Sequence, residues 1–131
     1  RTKKRIVEMQ ITENFNSSEF ECKDGSKMPE SVLNNIKELA KNLQIIRDFV
    51  CEPITINSAY RNAIYNKQIG GANKSFHLVG KASDITIQGM TSKEVHTLLL
   101  DLIKEGKISE GGIGLYNSFV HYDIRGTKAR W

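Results

Sequence analysis

An apolar stripe at helical spacing follows Pro29 and constrains the fold more than any other segment of the sequence. Proline suits the first turn of a helix, and from it apolar residues recur every three or four positions until Pro53 ends the pattern. The stripe consists of Val32, Leu33, Ile36, Leu39, Ala40, Leu43, Ile46 and Val50. This pattern predicts one long amphipathic helix.

Two further helices are predicted after it. Residues 61–68 form a shorter candidate that ends at Gly70 and Gly71, where the chain needs unusual backbone dihedral angles. Thr91 and Glu94 then have the spacing of a capping box. The apolar face of that third helix consists of Val95, Leu98, Leu99, Leu102 and Ile103.

Short apolar or alternating stretches predict the strands. Residues 54–56 read as a buried strand, and residues 82–87 alternate as a second strand after a loop. GGIGLY (111–116) and FVHYDI (119–124) flank Asn117 and Ser118, as in a β-hairpin with a tight turn. Near the start of the chain, Val7, Met9 and Ile11 alternate with polar residues, which suggests a short extended segment. We therefore expect an α+β fold in which a small antiparallel sheet packs with helices.

Length and composition fit one folded domain over residues 1–131. The chain is 39% hydrophobic and 26% charged, it has only two prolines, and it contains no internal repeat or linker. No apolar run approaches the roughly 20 residues that span a bilayer, and no signal-type apolar core follows the basic start. We expect no membrane insertion and see no signal peptide.

The chain is basic, with a net charge of +4. Its basic residues cluster at both ends, namely Arg1, Lys3, Lys4 and Arg5, then Arg125, Lys128 and Arg130. Such charge fits a polyanionic cell wall, a nucleic acid or simply a solvated surface. Charge alone does not choose among these partners.

The two cysteines, Cys22 and Cys51, lack the CxxC spacing of zinc ribbons and thioredoxin-like redox sites. Two buried thiols are the simplest interpretation. A single disulfide between them is the alternative, and its geometry does not follow from sequence.

Three residues can supply the ligands of a metal ion. His77 and Asp84 lie seven residues apart with Gly80 between them, so a loop can deliver the imidazole and a strand the carboxylate. In the predicted hairpin, His121 and Asp123 share one face of a strand. Burial of such a polar pair in an apolar hairpin is costly unless the pair binds a cation. Zinc hydrolases use such nitrogen and oxygen donors. By spacing alone, however, each histidine is more often structural than a ligand.

Five motifs, in this order, resemble one family. They are SAYRN (58–62), SFHLVGKASDI (75–85), GGIGLY (111–116), FVHYD (119–123) and the closing RGTKARW. The resemblance is to the zinc D-alanyl-D-alanine carboxypeptidases, a family that includes L-alanyl-D-glutamate endopeptidases of phage lysins and has a zinc site similar to that of the hedgehog domain. It implies one zinc ion bound by His77, Asp84 and His121, and places Arg61 near the substrate, where the alternative is a structural ion pair.

The resemblance leaves the general base open. Several branches of the family place a glutamate three residues before the last zinc histidine, where this sequence has Ser118. We predict that Asp123 replaces it, or that Asp123 supports a neighbouring ligand. Ser75, Tyr60 and Tyr116 are candidates for the substrate-binding site, although packing explains the tyrosines equally well. His96 lies outside every motif.

The resemblance implies hydrolysis of amide bonds that involve D-amino acids in peptidoglycan stem peptides. A monomer that faces the cell wall, in the periplasm, outside the cell or on a phage, would fit this activity. The alternative is a zinc-stabilised binding module without catalysis, which the missing glutamate favours. A nucleic-acid-binding domain rests on charge alone and is the weakest hypothesis.

Overall fold

The computed structural model describes residues 9–131, which form three helices and five strands. In chain order these are α1 (Glu30–Val50), β1 (Ile54–Ser58), α2 (Ala63–Gln68), β2 (Ala82–Ile87), α3 (Ser92–Lys104), β3 (Gly112–Leu115), β4 (Val120–Asp123) and β5 (Ala129–Arg130). Two 3₁₀ turns, Ser17–Phe20 and Phe76–Val79, lie between them. The predicted extended segment lies partly outside the described residues, at Val7, and its remainder forms a single bridge between Gln10 and Asn16.

The strands form one sheet in the order β1-β2-β4-β3-β5. Neighbouring strands run antiparallel except β3 and β5, which pair in parallel at one edge. The predicted hairpin is present, since the Tyr116 N–H donates to the Phe119 carbonyl oxygen across the two-residue turn. The α+β prediction is therefore confirmed, with a short parallel edge pair added to the expected antiparallel sheet.

The first two helices are present with adjusted ends. Helix α1 ends at Val50 because Cys51 adopts a left-handed conformation, with φ 54°, before Pro53 is reached. Helix α2 begins at Ala63, two residues later than predicted, because the side chain of Asn62 caps its first turn. Helix positions near a cap are decided by such local hydrogen bonds, which periodicity does not report.

The third helix and the core match the predicted pattern. Thr91 and Glu94 form the capping box of α3, with reciprocal side-chain to backbone hydrogen bonds. The apolar faces of the helices join one face of the sheet in a single hydrophobic cluster. Its fully buried members include Ile36, Leu39, Leu43, Ile85, Leu99, Leu102 and Ile113.

The two cysteines differ in environment. Cys22 is buried in the core, whereas Cys51 is exposed at the end of α1, and both are free. The prediction of two buried thiols is therefore wrong for Cys51, because the turn after α1 carries it into solvent. Among residues 9–131, no helix has the length and apolar character needed to cross a membrane.

Candidate metal centre

Two neighbouring strands and one turn bring His77, Asp84 and His121 together. Asp84 of β2 and His121 of β4 are direct cross-strand partners, and His77 comes from the 3₁₀ turn just before β2. Asp84 Oδ1 lies 3.2 Å from His77 Nε2 and 3.3 Å from His121 Nδ1. The three side chains are buried, and their ligand atoms lie within 4.8 Å of one another. The group can therefore hold a metal ion.

Two of these separations fit a tetrahedral metal ion. Ligands about 2.0–2.1 Å from a tetrahedral zinc ion lie roughly 3.4 Å apart. The two separations that involve Asp84 Oδ1, 3.2 and 3.3 Å, are close to that value. These two pairs of ligand atoms therefore already have the spacing of a tetrahedral metal site.

Hydrogen bonds fix which nitrogen of each histidine can bind a metal. His77 Nδ1 lies 2.7 Å from the Ala59 carbonyl oxygen, which can only accept, so Nδ1 donates to it and Nε2 is the nitrogen left to bind a metal. His121 Nε2 lies 2.7 Å from Asp123 Oδ2, which leaves Nδ1 as the nitrogen that can bind a metal. Both of these nitrogens face Asp84 Oδ1. The fold thus sets which nitrogen of each imidazole faces the metal position.

The turn that carries His77 is shaped by two residues. The Ser75 hydroxyl oxygen accepts from the His77 backbone N–H at 3.1 Å and so caps the turn. Gly80 ends the turn at φ 77°, and a Cβ atom there would lie 2.7 Å from a methyl group of Val32 in α1. Glycine therefore lets the turn reverse against the long helix and deliver the imidazole to β2.

Asp123 lies on the same strand face as His121, as predicted, but beyond the imidazole ring from Asp84. Its carboxylate is fully buried and accepts from His121 Nε2, from the Gly112 backbone N–H and from Arg125. Arg125 donates through both Nε, at 2.9 Å, and Nη2, at 2.7 Å. Asp123 is thus a fully hydrogen-bonded support of one histidine, the arrangement that orients metal ligands in many sites.

Arg61 stands in a similar position behind Asp84. Its Nη2 donates to Asp84 Oδ2 at 3.3 Å, its Nε to the Ser58 hydroxyl and its Nη1 to the Asn66 side-chain oxygen. Gly71 lies against Asn66 and Arg61 so closely that a Cβ would overlap the Asn66 amide. Every nitrogen of the guanidinium therefore has a protein partner, as expected if Arg61 forms a structural ion pair. Arg61 also lines the cleft.

The metal group lies in the wall of a cleft of about 550 Å³. Aromatic side chains form one side: Tyr116 stacks on Phe119 with ring centroids 4.6 Å apart, and the Trp131 ring lies 4.9 Å from that of His121. Three cations, Arg61, Lys74 and Arg125, also line the cleft. An open, cationic and partly aromatic groove suits an extended polar ligand that carries negative charge.

Some of the remaining predicted residues line the cleft and others do not. Ser75 and Tyr116 line the cleft. Tyr60, by contrast, is only 7% exposed and belongs to the hydrophobic core, so packing accounts for it. His96, on α3, is absent from the cleft lining, in agreement with its place outside the motifs.

Burial and hydrogen bonding act in opposite directions on the buried charges. Burial disfavours ionisation of Asp84, yet hydrogen bonds from His121 and His77 outweigh it and lower the pKa to about 2. Burial also opposes ionisation of Asp123, but bonds from His121 and Arg125 hold its pKa well below the usual range. Burial alone would lower the pKa of His121, whereas the two carboxylates raise it. Both aspartates are therefore anionic at neutral pH, as a cation site requires.

Two histidines and one carboxylate that converge in an open cleft are the arrangement of a metal-dependent hydrolase. The sequence model of one such family, Peptidase M15, matches residues 13–123. Because the match covers most of the chain, the protein belongs to the M15 family of metallopeptidases, and the resemblance seen in the motifs is confirmed. No curated protein sequence matches the chain.

Two side chains of the site escaped the sequence reasoning. Arg125 and Trp131 lie after the end of the family match at Asp123, in the closing RGTKARW segment, and both line the cleft. The available signal was the spacing of Gly112 and Gly114, which alternate with apolar residues on β3 and so leave one face of that strand without side chains. Asp123 and Arg125 fill the space at the first glycine, and Trp131 fills the space at the second.

Proposed function

We propose that this chain is a zinc-dependent peptidase that hydrolyses amide bonds involving D-amino acids in peptidoglycan stem peptides. The observation that carries the proposal is the convergence of His77 Nε2, Asp84 Oδ1 and His121 Nδ1 in an open cleft. Three such donors suit a catalytic zinc, which keeps a fourth position for water or substrate. Bound zinc would acidify that water and polarise the scissile carbonyl group.

The charge of the cleft supports an acidic peptide as substrate. Arg61, Lys74 and Arg125 line it, and Asp84 is the one carboxylate that does so among residues 9–131. Because Asp84 is also a ligand, a bound dication would leave the cleft more positive still. Stem peptides carry free carboxylates at D-glutamate and at the terminal D-alanine, and such groups are attracted to this field.

The supporting residues have distinct parts in this proposal. Asp123 orients His121 by accepting from its Nε2, and Arg61 orients Asp84 by donating to its Oδ2. Arg61 also faces the cleft, so a substrate carboxylate or carbonyl oxygen can approach its guanidinium. Of the two roles that the sequence leaves open for Asp123, general base and support of a neighbouring ligand, we propose the second.

The setting of the protein follows from its substrate. Peptidoglycan lies outside the cytoplasmic membrane, so we propose that the chain works facing the cell wall, in the periplasm, outside the cell or as part of a phage. Its metal group and cleft come entirely from one chain, which supports activity as a monomer and as one domain.

Digestion of purified sacculi tests the proposal. With zinc present, mass analysis should find free D-alanine if the enzyme is a carboxypeptidase, or new peptide termini if it is an endopeptidase. Chelation should stop the release and added zinc should restore it. His77→Ala should abolish release, whereas the matched control His96→Ala, on α3 outside the cleft, should leave it unchanged. Intact sacculi after incubation with the zinc-loaded protein would overturn the proposal.

A zinc-stabilised binding module is the second candidate function. Ser118 takes the position of the family's glutamate, and it lies in the hairpin turn outside the metal cleft. Such a module would bind sacculi, melt at a higher temperature with zinc and release no peptide. Sacculus binding that depends on zinc, without any hydrolysis, would favour the module over the peptidase.

A further inference from the structure

Strand β3 carries a set of residues whose arrangement the metal group does not explain. Gly114 lies directly opposite His121, so Gly112, Gly114 and Tyr116 share the sheet face of the site. The first glycine leaves space for the Asp123 carboxylate and Arg125. The second leaves space for the indole of Trp131, since a Cβ at Gly114 would lie 2.5 Å from Trp131 Nε1.

The backbone of β3 fixes Trp131 in this place. The Trp131 N–H donates to the Ile113 carbonyl oxygen at 3.1 Å, and the Trp131 carbonyl oxygen accepts from the Leu115 N–H at 2.8 Å. These bonds continue the parallel pairing of β3 with β5 by one residue. The indole ring consequently lies over Gly114 and beside His121, with ring centroids 4.9 Å apart.

The indole holds the hydroxyl group of Tyr116. Trp131 Nε1 donates to Tyr116 Oη at 2.8 Å, and indole nitrogen can only donate. The phenol oxygen is therefore an acceptor in this bond, and its own proton must point elsewhere. Among residues 9–131 no acceptor receives that proton. The Tyr116 ring is also fixed, by its stack on Phe119 at 4.6 Å.

The two arginines of the cleft are less suited to a substrate oxygen. All three nitrogens of the Arg61 guanidinium bind Ser58, Asn66 and Asp84. Arg125 binds Asp123 through two nitrogens. Tyr116, which is 43% exposed and lines the same cleft as the metal group, has a fixed ring and an uncommitted proton.

We propose that Tyr116, held by Trp131, donates a hydrogen bond to the carbonyl oxygen of the scissile amide. This inference rests on the proposed peptidase function. Amide hydrolysis moves negative charge onto that oxygen, and a donor fixed in advance stabilises the charge at no cost of reorganisation. The phenol O–H bond stays intact throughout, so the step transfers no proton. Tyr116 would contact the substrate, and Trp131 would be a positioning residue.

Steady-state kinetics of the zinc-loaded protein on soluble stem peptides test this assignment. Tyr116→Phe keeps the ring stack but removes the donor, and should lower kcat about 100-fold with little change in KM. Trp131→Phe keeps an aromatic ring over Gly114 and should lower kcat about 5-fold, since the tyrosine hydroxyl remains but is no longer held. Tyr65→Phe, which removes a phenol hydroxyl outside the cleft, is the matched control.

Two further measurements separate this role from a structural one. A phosphinate analogue of the scissile amide should lose affinity for Tyr116→Phe by about the factor lost in kcat, while the Kd for zinc stays that of the wild type. The double variant, Tyr116→Phe with Trp131→Phe, should have the same kcat as Tyr116→Phe alone, because Trp131 acts through the tyrosine.

The outcomes that overturn the inference are distinct from those that overturn the peptidase function. A wild-type protein that cleaves stem peptides, with Tyr116→Phe within about twofold of it, would remove Tyr116 from the reaction. Independent, additive losses in the double variant would remove the positioning role of Trp131. A zinc-loaded wild type that cleaves no amide bond would overturn the peptidase function and this inference together.

Discussion

Replacement of Asp123 separates the two roles that sequence reasoning left open for it. A general base could be removed without loss of zinc, and turnover would stop. A positioning residue behaves in the opposite way, because His121 loses the acceptor that holds its tautomer and orientation. The carboxylate lies 2.7 Å from His121 Nε2, on the far side of the ring from Asp84. We therefore expect Asp123→Ala to impair zinc binding first.

The size of the effect follows from the contacts that are lost. Removal of a carboxylate that supports a ligand histidine lowers metal affinity by about 10- to 100-fold, which corresponds to about 1.4–2.8 kcal/mol. Asp123→Ala also leaves Arg125 without its buried partner. Because the Arg125 side chain is 22% exposed and can turn toward solvent, we expect the unfolding free energy to fall by about 3 kcal/mol, the lower end for a broken buried pair.

The fluorescence of Trp131 provides the assay. It is the single tryptophan of the chain and its ring lies 4.9 Å from that of His121, so zinc binding should change its emission. Titration of the metal-free protein against a competing chelator gives the Kd for zinc, and urea unfolding of the same sample gives the stability. Asp101→Ala, which removes an exposed carboxylate from α3, is the matched control and should match the wild type in both measurements.

Kinetics at saturating zinc complete the test. Once the site is filled, Asp123→Ala should retain turnover within about 10-fold of the wild type, since the loss acts through His121. A wild-type Kd for zinc combined with abolished turnover would refute this reasoning. That result would return Asp123 to the role of general base that the missing glutamate at Ser118 first suggested.

Three other perturbations test separate parts of the structure. Gly114→Ala should displace the Trp131 indole, shift its emission and lower kcat about 10-fold, and unchanged emission would contradict the close packing at that glycine. Burial raises the pKa of Tyr122 above that of the unfolded chain, which is about 10. The unfolding free energy should therefore be constant below about pH 10 and fall as the pH rises from there toward the folded pKa, because only the unfolded chain then loses the proton. Tyr122→Phe should flatten the alkaline loss of unfolding free energy, at a cost of about 1 kcal/mol near neutral pH for the lost hydrogen bond to Ser109. Cys51→Ser should change stability by less than about 0.5 kcal/mol, and a thiol reagent should label Cys51 in the native protein but Cys22 only after unfolding.

Periodicity was sufficient for the elements that bury a continuous face. The stripe of α1 and the capping box of α3 are local patterns, so the sequence predicts both helices nearly to their ends. It does not predict β5, because two residues carry no period and the strand exists only through its pairing with Gly112 and Ile113. The start of α2 was misplaced for a related reason: the Asn62 cap outweighs the weak pattern before it.

Motif resemblance predicted the metal group of His77, Asp84 and His121. Strand alternation then predicted which side chains share a strand face. What neither could supply is the register between strands. Asp84 meets His121 only because β2 and β4 pair with these residues opposite each other, and a shift of one residue would send one of them to the other face of the sheet. The same register places Asp123 beyond His121, so the structure shows its hydrogen bond to the imidazole, which the sequence does not predict.

The glycines of β3 show how far a sequence can point to a site it does not describe. Glycine weakens a strand interior, so two of them at alternate positions beside an aromatic residue need a reason. The reason lies in other segments: Asp123 and Arg125 approach one glycine, and Trp131 approaches the other. Glycines at alternate positions of a strand thus predict that another segment packs on that face, and only the fold shows which segment it is. In this chain it is the carboxylate that orients His121 and the indole that holds Tyr116.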